Sequence, residues 1–191
     1  MGAAAWQEAR LALAGTLRLA VGDRRALARF DRTLDGFWRS FRAAVICYPL
    51  YLVLLTMRVS GPEWQRSGVW RIIIVETIGY VIAWVAFPLL MLNVTRWIGR
   101  AQRFFDFMVP YNWCQVPQSL LFVLVGIESG SGLLGANASE TIDIVAAVAT
   151  LVYEWYIARI ALETTGSAAG FVVLVDLVLG VFLTRVSGSL Y

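Results

Sequence analysis

The stretch VWRIIIVETIGYVIAWVAFPLLMLNVT, residues 69–95, decides the fold class. It carries only two charged side chains, Arg71 and Glu76, in a run longer than the roughly 20 apolar residues that a helix needs to cross a bilayer. Glu76, Gly79, Ala83 and Ala86 recur at three- and four-residue spacing, and Asn93 continues that face. Small residues in such a row let a neighbouring helix approach closely. Pro88 predicts a kink.

Four further stretches read the same way. The predicted spans are Ala43–Met57, Val69–Thr95, Phe105–Ile127, Thr141–Leu162 and Ala168–Val186. Span one contains Pro49, which removes a backbone hydrogen bond. Ser60-Gly61-Pro62 marks a turn, and Glu128–Glu140 reads as a Gly/Ser-rich loop. Composition agrees: 59% of the 191 residues are hydrophobic and 15% are charged. A soluble domain has about 45–50% and about 25% respectively. Mean hydropathy is +0.69. The expected fold is therefore all-α, an integral membrane helix bundle of about five transmembrane helices spanning residues 43–191. Residues 1–42 precede it as a basic amphipathic segment.

All 16 basic residues are Arg, with no Lys and no His. That usage fits a GC-rich bacterial genome, and hence a bacterial inner membrane. It leaves no imidazole to hold haem or zinc and no amine to form a Schiff base. Cys47 and Cys114 fall inside predicted spans and read as small apolar fillers. With the N terminus inside, twelve arginines flank inside ends: Arg10, Arg18, Arg24, Arg25, Arg29, Arg32, Arg39, Arg42, Arg96, Arg100, Arg103 and Arg159. Four flank outside ends: Arg58, Arg66, Arg71 and Arg185. The positive-inside rule gives a cytoplasmic N terminus and an outside C terminus.

In the N-terminal segment, Trp6–Leu19 holds helix formers. Arg25–Phe41 places Phe30, Leu34, Phe37, Trp38 and Phe41 at helical spacing among Arg29, Arg32, Arg39 and neighbouring arginines. Arg29, Arg32, Phe37, Trp38, Arg39 and Phe41 are the candidate lipid or partner interface. The stripe has two readings: a helix in the membrane interface against anionic headgroups, or a face packed on the bundle. The arginines directly precede a span, so lipid is a nearer phosphate than nucleic acid, and no nucleic-acid partner is expected.

Carboxylates and amides inside apolar spans are costly and usually face the bundle interior, where they mark function or tie helices together. The candidate intramembrane polar site is Glu76, Asp176, Glu154, Asp143, Asn112 and Gln115. Glu76 and Asp176 are the deepest. Asp143 lies near its span end, where it can serve as an interfacial cap. Asn112 and Gln115 are bracketed by Pro110 and Pro117, which predicts either a broken helix or a Pro-started helix with Tyr111 and Trp113 at the interface. No nucleophile, phosphate-loop, dinucleotide or metal motif is present, so catalytic, cofactor-binding and metal residues are not expected, and neither is enzymatic activity.

The layout of basic N-terminal segment and five tight spans, with Asp35-Gly36-Phe37-Trp38-Arg39-Ser40-Phe41 before the first, resembles Yip-type five-span membrane proteins and small inner-membrane proteins of proteobacteria. The resemblance is one of topology and implies a membrane-organising or partner-binding role. The expected function is binding, as an accessory subunit or membrane organiser, with self-association or other membrane proteins as partners. The alternative is a homo-oligomeric transporter or channel that uses the intramembrane carboxylates.

Overall fold

The computed structural model describes residues 3–191, with side chains from Trp6 onward. The helices are α1 (Ala3–Ala20), α2 (Leu34–Ser40), α3 (Arg42–Arg58), α4 (Gly61–Ser67), α5 (Val69–Trp97), α6 (Phe104–Ser131), α7 (Ala136–Ala161) and α8 (Gly166–Gly188), with 3-10 turns at Arg24–Arg29 and Ala101–Arg103. The five long helices alternate in direction, as contacts at their ends show. At one end Arg32 pairs with Asp106 at 3.1 Å and Arg103 with Glu163 at 2.6 Å. At the other, Arg58 pairs with Glu76 at 2.6 Å and an Arg71 N–H donates to Leu190 O at 2.7 Å.

Four segments are long and apolar enough to cross a membrane: Leu34–Arg58, Val69–Trp97, Ala136–Ala161 and Gly166–Gly188. Their outward faces are aliphatic. Ile74, Ile78, Val81, Val85 and Leu89 on α5 are exposed, as are Val145, Val148 and Val152 on α7. Such a coat is compatible with lipid, and a monomer in water rarely carries it. The chain is a helical membrane protein.

α6 runs between the same two ends but is the axis of the bundle, packed against α1, α2, α3, α5 and α7. Ten consecutive residues lead from Asp106 through Gln115, and all but the ends of that run are buried. Both prolines sit inside one unbroken helix that starts six residues before Pro110, so α6 is neither broken nor started by Pro110. The carbonyls of Asp106 and Trp113 lose their intrahelical donors there.

The loop between α6 and α7 is shorter than Glu128–Glu140. α6 continues to Ser131 and stops where Gly132 takes φ 66, a left-handed cap that glycine adopts without steric cost. The buried face of α5 continues from Glu76 through Phe87 to Met91, Val94 and Thr95, and Asn93 falls off it and is exposed, its amide donating to Leu89 O. On α7 the spacing puts Asp143, Ala147, Thr150 and Glu154 on one helical face, extended by Ala158 and Ala161; of these Thr150, Ala158 and Ala161 are buried, whereas Asp143 and Ala147 are exposed.

The Arg25–Phe41 stripe is not one helix. Asp23 caps the 3-10 turn by accepting from Arg25 N, and Thr33 restarts the chain by accepting from Gly36 N. Between them Asp31 O packs so close to Gly36 that a Cβ there would lie 1.8 Å away. Phe30 and Phe37 are buried, Phe37 against Phe104 and Phe105, while Trp38 faces outward. Arg39 is held by Glu8 and Asp31, Arg42 by Glu8, and Arg32 by Asp106.

Candidate functional site

Four of the six predicted polar residues meet in one place. A cavity of about 660 Å³ lies among the five long helices and is lined by Asn112 and Gln115 of α6, Glu154 of α7 and Asp176 of α8. α3 contributes Cys47 and Tyr51, and α5 contributes Tyr80, Trp84 and Phe87. That volume is typical of small-molecule sites, roughly 300–1,000 Å³.

The acid pair forms because α7 and α8 pack side by side, and the two positions face each other across that contact. The carboxylates of Glu154 and Asp176 lie against one another. Gln115 and Gln118 stand beside Glu154, and Tyr111 beside Asp176. Among the described residues no arginine pairs with either carboxylate. Arg185 also borders the cavity, nine residues along α8 from Asp176, about 13 Å away along the axis.

The other walls are fixed by hydrogen bonds and stacking. Asn112 is 1% exposed, and its amide donates to Ser40 Oγ at 2.8 Å; Ser40 in turn donates to Phe37 O. Asn112 therefore ties α6 to α2 while one edge borders the cavity. Tyr111 stacks on Phe87 with ring centroids 4.5 Å apart. Tyr80 donates to Ala44 O at 2.6 Å, joining α5 to α3. Gln118 is 6% exposed; its side chain reaches the Glu154 carboxylate, but it lines the groove between α1, α6 and α7 and not this cavity.

Glu76 lies elsewhere. It is 2% exposed and takes Tyr51 OH at 2.5 Å, Tyr191 OH at 2.7 Å and the Arg58 guanidinium at 2.6 Å. Donors from two other segments share its two oxygens, so Glu76 is a tie between α3, α5 and the segment after α8, separate from the acid pair. The Tyr191 phenol is pushed up to about 12 by burial first and by the Glu76 charge second. Asp143 is exposed at the far end and accepts from Ser129 Oγ at 3.2 Å. Cys47 and Cys114 are both free and buried, Cys114 with its sulfur 3.0 Å from Tyr153 OH.

Tyr111 lines the cavity and Gln118 stands behind Glu154, although one of the two sequence readings of this segment put Tyr111 at the interface and neither used Gln118. The signal was present: Tyr111, Gln115 and Gln118 share one helical face by four- and three-residue steps. Tyr51 and Trp84 had no signal beyond aromatic character. Two carboxylates with neutral amides and a phenol, in a largely apolar chamber, can hold a cation or a proton between them. Aromatic faces from α5 and α6 add cation–π attraction. Among the described residues no group of three His, Cys, Asp or Glu is placed to hold a metal ion. No family model, curated protein or solved structure matches the chain.

Proposed function

We propose that this protein is a five-span carrier of the inner membrane that binds a lipophilic cation on Glu154 and Asp176 and exchanges it for protons. The observation that carries the reading is the meeting of Glu154, Asp176, Asn112 and Gln115 from three helices in one chamber bounded by five. A charge inside a membrane bundle costs several kcal/mol and faces a partner or a pathway. Here the acid pair has no arginine, so the partner is a cation from outside the chain. The aromatic and aliphatic walls favour one with apolar substituents.

α6 counts as the fifth span because it runs antiparallel between the two ends joined by the other four. It falls short on composition because it forms the axis and faces protein more than lipid. The arginine-rich end, with α1 and α2, then lies in the cytoplasm, following the positive-inside rule. Reconstitution into liposomes tests the reading, with uptake of tetraphenylphosphonium followed under an imposed pH gradient. Gradient-driven uptake that Glu154→Gln abolishes supports it. Uptake equal to that of protein-free liposomes counts against it.

The accessory-subunit reading, with its topological likeness to Yip-type proteins, draws on the exposed Trp38 and the exposed aliphatic faces. The N-terminal aromatics Phe30 and Phe37 favour it less, because they are spent on the bundle's own core. Its test is co-purification of a stoichiometric second membrane protein after gentle extraction.

A further inference from the structure

Two of the three predicted lipid-facing arginines are paired within the fold, Arg32 with Asp106 and Arg39 with Glu8 and Asp31. A second basic cluster is not. A groove of about 510 Å³ runs between the C-terminal half of α1, α6 and α7. Its floor is largely apolar, made by Leu17, Pro117, Leu121, Ala149 and Val152, with Gln118 and Thr150 as its polar members. Its other end is bordered by Gly22, Trp155 and Tyr156.

That end is basic. Arg24 and Arg25 follow Gly22 by two and three residues, and both are exposed. Arg159 follows Tyr156 by three residues on α7, and its guanidinium lies 5.1 Å over the Trp155 ring. The acids next to these arginines in the chain are engaged: Asp23 by Arg18 at 3.6 Å and Arg25 N at 3.0 Å, and Glu163 by Arg103 at 2.6 Å. Tyr153 donates to Thr16 O and Tyr156 to Gly22 O, each at 2.7 Å, so the end of α1 is pinned across the groove.

We infer that this groove holds an acyl chain of an anionic phospholipid, whose phosphate sits among Arg24, Arg25 and Arg159. A largely apolar groove whose end residues Gly22, Trp155 and Tyr156 stand within four positions of three arginines, at the same end as the other cytoplasmic-side arginines, matches an anionic lipid in both halves of its structure. Zwitterionic lipids fill the channel but leave the cations without a net negative partner. Each arginine near a lipid phosphate changes affinity roughly five-fold. The inference rests on the bilayer reading of the bundle and is independent of the acid pair.

The test is native mass spectrometry of the full chain extracted from vesicles of equal phosphatidylglycerol and phosphatidylcholine. The expected result is retained phosphatidylglycerol in excess. The excess falls roughly five-fold for each of Arg24→Gln, Arg25→Gln and Arg159→Gln. Arg66→Gln with Arg71→Gln, at the opposite end, leaves it unchanged. Ala149→Phe fills the floor and reduces retention of both lipids. Equal retention by the wild type, or an excess that survives all three substitutions, overturns the groove assignment while the membrane reading stands. Failure of the protein to enter vesicles overturns both.

Discussion

Replacing Glu76 by Ala tests whether this carboxylate is structural. The substitution removes the acceptor for three groups. Tyr51 is half-buried and loses its acidic partner, Tyr191 loses its only contact to the α5 carboxylate, and Arg58 is left at the rim with a third of its side chain exposed. Removing one member of a buried ion pair costs about 3–5 kcal/mol, because the other charge stays behind. Arg58 turns into solvent or headgroups, which makes its share small, and the two phenols each lose about 1.5–3 kcal/mol of charge-assisted bonding. The expected total is about 3–6 kcal/mol. Glu76→Gln keeps an acceptor oxygen and costs about half as much. The assay is denaturant unfolding in mixed micelles, followed by far-ultraviolet circular dichroism. Glu76→Ala at wild-type stability, or Glu76→Gln with intact stability but lost cation binding, refutes the structural assignment.

Four further outcomes follow from the same contacts. As pH rises from about 10 to about 12, the bundle loses stability, because the unfolded Tyr191 phenol ionises near 10.0 and the folded one only near 12; Tyr191→Phe removes that part of the pH-dependent loss in alkaline unfolding curves. Gly79→Ala places a Cβ 2.5 Å from Ser187 Oγ, so it destabilises the α5–α8 contact by about 1 kcal/mol, and adding Ser187→Ala restores most of it in a double-mutant cycle. Gly36→Ala drives a Cβ into Asp31 O, which is backbone and cannot swing away, so the cost is about 1–3 kcal/mol and hydrogen exchange rises across residues 22–36. Single-cysteine reporters at Ala28 and Ser189, in a background without Cys47 and Cys114, label from opposite sides of the membrane; labelling from one side contradicts an odd number of spans.

The long apolar runs made the helices legible, and the spans fall within a few residues of α3, α5, α7 and α8. Periodicity also placed Thr150, Ala158 and Ala161 on the buried side of α7. It failed at Asn93 because three- and four-residue steps drift: Asn93 stands about 100° round the helix from Glu76, whereas its neighbour Val94 returns to the Glu76 face and is buried. It failed at Arg25–Phe41 because Asp23, Asp31 and Thr33 offer side-chain oxygens to the backbone, and those local bonds outcompete a continuous helix. The polar residues were legible one by one, since a carboxylate in an apolar run stands out. Their partners were not. Glu154 meets Asp176 only through the packing of α7 on α8, and Glu76 meets Tyr191 across 115 positions of chain. Depth in a span therefore did not separate the tie from the cavity, and the presence of Arg58 beside one and no arginine beside the other did.

The measurement that bears most directly on the acid pair is equilibrium binding of tetraphenylphosphonium to the purified protein in mild detergent, for the wild type, Glu154→Gln, Asp176→Asn and Glu76→Gln. The account predicts saturable binding that weakens as pH falls. It also predicts a loss of about ten-fold or more for each cavity carboxylate, from an ion-pair attraction of about 3 kcal/mol at about 6 Å and an effective dielectric constant of about 20, and wild-type affinity for Glu76→Gln. Equal affinity in all four proteins, or loss only with Glu76→Gln, contradicts it.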